Sequence, residues 1–90
     1  MLAPVTVYAL LSEKTNEIYV GMTIHLDQRV KEHNSGKSKF TKGRMPWKLV
    51  YSEICNNRLE ARKRELYLKS GIGKEFLKGV IFSSIKVSDK

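Results

Sequence analysis

Ninety residues with 41% hydrophobic side chains suffice for one small domain and leave no room for a second core. No apolar run approaches the roughly 20 residues of a membrane span, and a single cysteine, Cys55, excludes an intramolecular disulfide and a cysteine-based zinc site. Seventeen Lys and Arg against nine Asp and Glu leave a net charge of +8, which favours a polyanionic partner because each neutralised phosphate releases condensed counterions.

Val5 to Leu11 (VTVYALL) is β-branched and apolar, as a strand requires. Pro4 precedes it with no basic segment in front, so it does not read as a leader peptide. Ile18 to Thr23 (IYVGMT) resembles a second strand, and the Ser-Glu-Lys-Thr-Asn between them supplies turn chemistry for an antiparallel hairpin. An even-numbered hairpin loop places Tyr8 and Tyr19 opposite each other on one face; an odd one separates them. Thr23 is expected to cap a helix running to about Asn34, stopped by Asn34-Ser35-Gly36. Leu26 and Val30 then face the sheet, and Arg29 and His33 share the next stripe one turn apart.

Residues 36–45 show no periodicity and read as a mobile basic loop ended by Pro46. From Asn34 through Ser52 there is no acidic residue, while Lys37, Lys39, Lys42, Arg44 and Lys48 are interleaved with Phe40 and Trp47. That one-signed stretch suits a phosphate-facing surface, with Lys37, Lys39, Lys42 and Arg44 as the candidate nucleic-acid contacts. Trp47 to Ile54 alternates as a third strand, with Trp47, Leu49 and Tyr51 on one face. Asn57-Arg58-Leu59-Glu60 has the form of a capping box opening a helix to about Ser70. Gly71 and Gly73 suggest a break before a short helix from Lys74 to about Phe82, followed by a tail over 83–90. The expected architecture is α+β, a three-stranded antiparallel sheet flanked by helices in the order β-β-α-β-α-α, with the domain over residues 1–82.

In order along the chain stand Val7-Tyr8-Ala9, Tyr19-Val20-Gly21 eleven residues later, and Leu26-x-x-Arg29-x-x-x-His33-Asn34. Lys42-Gly43-Arg44-x-Pro46-Trp47-x-Leu49-Val50-Tyr51 and Ala61-x-x-Arg64-Glu65-x-x-Leu68-Lys69-Ser70-Gly71 follow. This set, spanning residues 5 to 78, resembles the GIY-YIG nucleases, in particular their small single-domain bacterial members. The resemblance implies a metal-dependent endonuclease acting on nucleic acid, DNA first, through tyrosine-assisted attack of water with one divalent cation, Mg²⁺ or Mn²⁺. It also suggests a protein of DNA repair or recombination, and the single cysteine points to a reducing, cytoplasmic setting. The alternative is a non-catalytic nucleic-acid-binding module on the same fold.

The resemblance assigns catalytic roles to Tyr8, Tyr19, Arg29, His33 and Glu65. One tyrosine takes or relays the proton of the attacking water and the other orients it; which is which stays open. A phenol titrates near 10, and the basic surroundings are expected to favour its ionised form. Arg29 offers a two-point fork for phosphate oxygens, and His33 either shares the proton relay or touches the phosphate. Glu65 is the expected metal ligand, since an inward carboxylate needs a partner; pairing with Arg62 or Lys69 is the competing reading. Glu60 is taken up by capping, His25 is expected at the surface, and Gly21 is expected to let a substrate or backbone approach the sheet. Leu68 to Lys90 contains no asparagine, which many family members carry there, and Met22 follows Gly21.

Overall fold

The computed structural model describes residues 4–88. Strands β1 (Val5–Ser12) and β2 (Ile18–Thr23) form the hairpin, and helix α1 (Leu26–Asn34) follows. A helical turn α2 (Lys39–Lys42) leads into β3 (Trp47–Cys55), and helices α3 (Arg58–Lys69) and α4 (Gly71–Ser88) complete the chain. The three strands are antiparallel in the order β2-β1-β3. The expected α+β class and antiparallel sheet are borne out, with α2 as an additional turn inside the basic loop.

The central position of β1 explains its uninterrupted apolar sequence: Val7, Tyr8, Ala9 and Leu10 are all buried, on alternating faces. On one face Val5, Val7, Ala9 and Val20 pack with Ala61 and Leu68 of α3 and Leu77 of α4. On the other, Tyr8, Leu10 and Trp47 pack with Tyr19, Leu26, Val30 and Met45. Full burial of an apolar side chain of this size stabilises by roughly 1.5–3 kcal/mol, so covering both faces of one strand uses a short chain efficiently.

Four local expectations are corrected. Thr23 ends β2 instead of capping α1; its hydroxyl accepts the His25 backbone N–H at 3.0 Å, and His25 stands at the N-cap position. The third strand contains a register shift at Val50, where Ala9 pairs with Tyr51 but Leu10 pairs with Leu49. This bulge turns Tyr51 toward the α3 face, while Trp47 and Leu49 stay on the other. The break between the last two helices is the single extended residue Ser70, whose hydroxyl accepts the Gly73 N–H at 3.2 Å and caps α4 directly. Finally, α4 runs on through Ser88, past Gly79 and into the segment expected to be a tail; residues 89–90 lie outside the described residues. Asn57 caps α3 as expected, its side-chain oxygen accepting from the Glu60 N–H at 2.9 Å.

Candidate functional site

The hairpin register decides whether the two tyrosines meet. Leu11 pairs with Ile18, so six residues separate the paired ends and the even-loop condition holds. The tyrosines are nevertheless diagonal: Tyr8 opposes Gly21, and Tyr19 opposes Leu10. Diagonal neighbours still share a face, and the rings lie 6.3 Å apart between centroids.

Gly21 makes this arrangement possible. A β-carbon at position 21 would stand 2.7 Å from the Tyr8 hydroxyl and 3.1 Å from the Tyr19 ring. The close approach expected at this glycine is therefore made by the Tyr8 phenol, lying across β2. Helix α1 covers the phenol from above. His33, fully buried, places Nε2 3.0 Å from the Tyr8 hydroxyl and sets its ring 4.8 Å from that of Tyr19, tilted by 59°. Its other ring nitrogen, Nδ1, lies 3.0 Å from the hydroxyl of Thr41 on α2.

Two clamps fix His33 from behind. The Asn34 amide donates to the Trp47 carbonyl at 3.0 Å and accepts the Trp47 N–H at 2.6 Å, fastening the end of α1 to the start of β3. The Trp47 indole donates to the Thr41 carbonyl at 2.9 Å, tying α2 to the same point. Neither Thr41 nor Asn34 stands out from the sequence as a site residue. Thr41 lies in a stretch without periodicity, and Asn34 reads as a helix stop.

Charge enters from two sides. Arg29, half-exposed and one turn before His33, pairs with Glu32 at 2.9 Å, and its guanidinium bears on Tyr8. Glu65 on α3 is 7% exposed and also bears on the Tyr8 phenol through its charge. Its two carboxylate oxygens meet Arg62 at 2.9 Å and Lys69 at 3.2 Å. Tyr19, Arg29 and His33 of the expected site thus gather at the Tyr8 phenol, whereas Glu65 reaches it only through its charge and sits within an intrahelical ion-pair network. Among the described residues no three His, Cys, Asp or Glu side chains gather as a metal cage.

The electrostatics of Tyr8 depart from expectation. Burial, with the Tyr19 phenol adding to it, pushes Tyr8 up to about 12, outweighing the Arg29 guanidinium that pulls the other way. The ionised phenol that a basic setting was expected to favour is not the resting state. His33 shifts downward, first through burial and then through Arg29, so the imidazole is neutral near pH 7.

The basic loop divides. Lys37, Lys39 and Lys42 are exposed. Arg44 is instead folded back: it pairs with Glu17, donates to the Phe40 carbonyl at 2.7 Å, and covers the Phe40 ring at 4.4 Å. Among the described residues, it is the one of the four cations read as nucleic-acid contacts that has an ion-pair partner. Phe40 also leans on Tyr19. Together with Ile18, Val20, Lys69 and Lys74 these two rings line an open groove of about 350 Å³ along β2. Lys69 and Lys74, absent from the expected contact set, give that groove positive charge beside the site.

Residues 4–76 match the family model described as the GIY-YIG catalytic domain. A UPF0213 protein of Clostridium perfringens is 41% identical over 78 residues, covering 86% of this chain and 84% of its own. One from Syntrophus aciditrophicus is 44% identical over 60 residues, 64% of this chain and 67% of its own. Among solved structures, the solution NMR structure of a UPF0213 protein from Bacillus halodurans superposes with a TM-score of 0.52 at 36% identity. That superposition covers 86% of this chain and 84% of the other.

Proposed function

Because the chain belongs to the GIY-YIG family, we propose that it is an endonuclease hydrolysing phosphodiester bonds in nucleic acid, DNA in the first place. The observation that carries this reading is the Tyr8 hydroxyl set 3.0 Å from a neutral imidazole nitrogen, with Arg29 and Glu65 bearing on the same phenol. A phenol held in its protonated form is a poor base alone. Beside His33 it becomes a relay: as water gives a proton to the Tyr8 oxygen, the phenol's own proton passes to Nε2. The hydroxide formed attacks phosphorus, the bond to the leaving oxygen breaks, and that oxygen is reprotonated from solvent. Tyr19, flanking both rings, orients the attacking water. Arg29 leaves Glu32 to grip two phosphate oxygens, a substitution of one charge-assisted pair for another.

Glu65 supplies the one carboxylate suited to a divalent cation. Mg²⁺ keeps several waters and takes one or two carboxylates plus substrate phosphate, so a nearly buried carboxylate on α3 fits that demand, with Arg62 and Lys69 released on loading. Bound there, Mg²⁺ or Mn²⁺ would polarise the phosphate and relieve its charge. The same Arg62 and Lys69 pairs support the second reading, a non-catalytic nucleic-acid-binding module, because they satisfy Glu65 without a metal.

Cleavage of linear, flapped, branched and single-stranded DNA and RNA, with Mg²⁺, with Mn²⁺ and with chelator, separates the two. The nuclease reading expects metal-dependent product that disappears in Glu65→Ala and Tyr19→Phe proteins. Cleavage persisting at wild-type rate in both would expose a contaminant. Salt-sensitive binding without product under any metal would establish the second reading.

A further inference from the structure

Helical turn α2 presents Lys39, Phe40 and Lys42 to solvent and buries one side chain completely, Thr41. A buried threonine hydroxyl needs partners, and here they are specific: His33 Nδ1 at 3.0 Å and the Ser38 carbonyl at 3.4 Å. A hydroxyl has one proton and two lone pairs, whereas a carbonyl only accepts. Both contacts are hydrogen bonds at once only if the Thr41 proton points to the Ser38 carbonyl and a lone pair accepts a proton-bearing Nδ1. At the opposite end the Tyr8 hydroxyl lies 3.0 Å from Nε2. With the ring proton on Nδ1, Nε2 is an acceptor and the phenol turns its own proton to it. One tautomer thus satisfies both hydroxyls.

We infer that Thr41 is a positioning residue of the hydrolysis: it holds the proton of neutral His33 on Nδ1, so that the Nε2 lone pair faces the Tyr8 hydroxyl and receives its proton. The catalytic consequence rests on the nuclease reading; the tautomer itself does not. The partner of the second ring nitrogen decides which nitrogen is basic, and outer partners that orient a metal-bound histidine in this way are worth about 10- to 100-fold. The indole of Trp47 and the backbone N–H of Arg44 both bond the Thr41 carbonyl, at 2.9 and 3.1 Å, which keeps the hydroxyl in place. A purely packing role would not explain a polar side chain at this position, since valine fills the same volume.

The test is a long-range ¹H–¹⁵N correlation of the histidine rings in uniformly labelled protein near neutral pH, with exposed His25 as the internal reference. Wild-type His33 is expected to show a proton-bearing Nδ1 and a lone-pair Nε2. Thr41→Val should shift the ring toward the Nε2-protonated form, and Thr41→Ser should restore it. In single-turnover cleavage Thr41→Val should lose roughly tenfold in rate with little change in binding, and Thr41→Ser should recover. A wild-type ring protonated on Nε2 overturns the inference. So does a Thr41→Val ring that keeps its wild-type signature, or one that changes while cleavage stays at wild-type rate. Should the valine variant not fold, the wild-type and serine spectra decide the tautomer on their own. The expected tautomer in a protein that cuts no substrate refutes the nuclease reading and, with it, the catalytic role of Thr41.

Discussion

Burial lifts the Tyr8 phenol from 10.0 to about 12, and this has a thermodynamic consequence that needs no substrate. The folded chain holds that proton more tightly than the unfolded chain, so the associated stability is fully present below pH 10 and is lost as pH rises through about 12. Tyr51, shifted upward by burial and by Glu53, acts in the same direction. Urea midpoints should therefore fall across that window, and Tyr8→Phe should shrink the fall by something on the order of 2 kcal/mol. His33 has the opposite sign. Its folded value lies below 6.5, so its contribution is present above pH 6.5 and disappears as pH drops through the lowered value. His33→Gln should flatten that acid slope, and the acid limb of the cleavage profile should fall below pH 6.5. The family resemblance singled out Tyr8, Tyr19, Arg29, His33 and Glu65 as candidates, and the gathering of the first four was legible in their order and spacing. The direction of the Tyr8 shift was not, because it depends on α1 closing over the phenol. Thr41 was invisible for a related reason: its partner lies eight residues away, across a loop without periodicity.

Among the elements, the junctions hold the site together more than the elements do. Asn34 bridges α1 to β3 through both halves of its amide. Truncating it to alanine leaves a buried donor and acceptor on Trp47, and should lower stability by about 1–3 kcal/mol in chemical denaturation. The α3–α4 junction is tighter still. A β-carbon on Gly73 would stand 2.0 Å from the Tyr67 carbonyl oxygen and 2.5 Å from the Leu68 α-carbon, both backbone atoms that cannot swing aside. Gly73→Ala should therefore displace α4 and drop the melting temperature by several degrees or more, whereas Gly79→Ala, with open space around it, should be neutral or stabilising. Strand types followed from the β-branched apolar run of β1 and the alternation of β3, and the start of α3 from the Asn57 cap. The β3 bulge did not, because one extra residue inside a continuous strand leaves its composition unchanged while reversing the face that Tyr51 and the residues after it meet.

Over the whole molecule, part of the net positive charge stands beside the candidate site. Lys37, Lys39 and Lys42 are exposed on the loop beside His33, and Lys69 and Lys74 line the groove beside Tyr19. Replacing the three loop lysines with glutamine should weaken DNA binding about equally across sequences. It should also flatten the salt dependence by about 0.9 for each phosphate that is no longer neutralised; an unchanged slope would remove this loop from the binding surface. Arg44→Gln should do less to the slope and more to stability, since its guanidinium is engaged by Glu17 and Phe40. Charge asymmetry was legible as a run without acidic residues, but its division into outward lysines and an inward arginine depended on the fold.

The relay at Tyr8 is tested most directly by measuring DNA affinity and single-turnover cleavage side by side for the wild-type and Tyr8→Phe proteins, in saturating Mg²⁺ or Mn²⁺. Phenylalanine keeps the ring over Gly21 and removes only the hydroxyl, so affinity should hold while the cleavage rate falls by about 10²- to 10⁴-fold. A Tyr8→Phe protein that binds and cuts like the wild type would contradict the account.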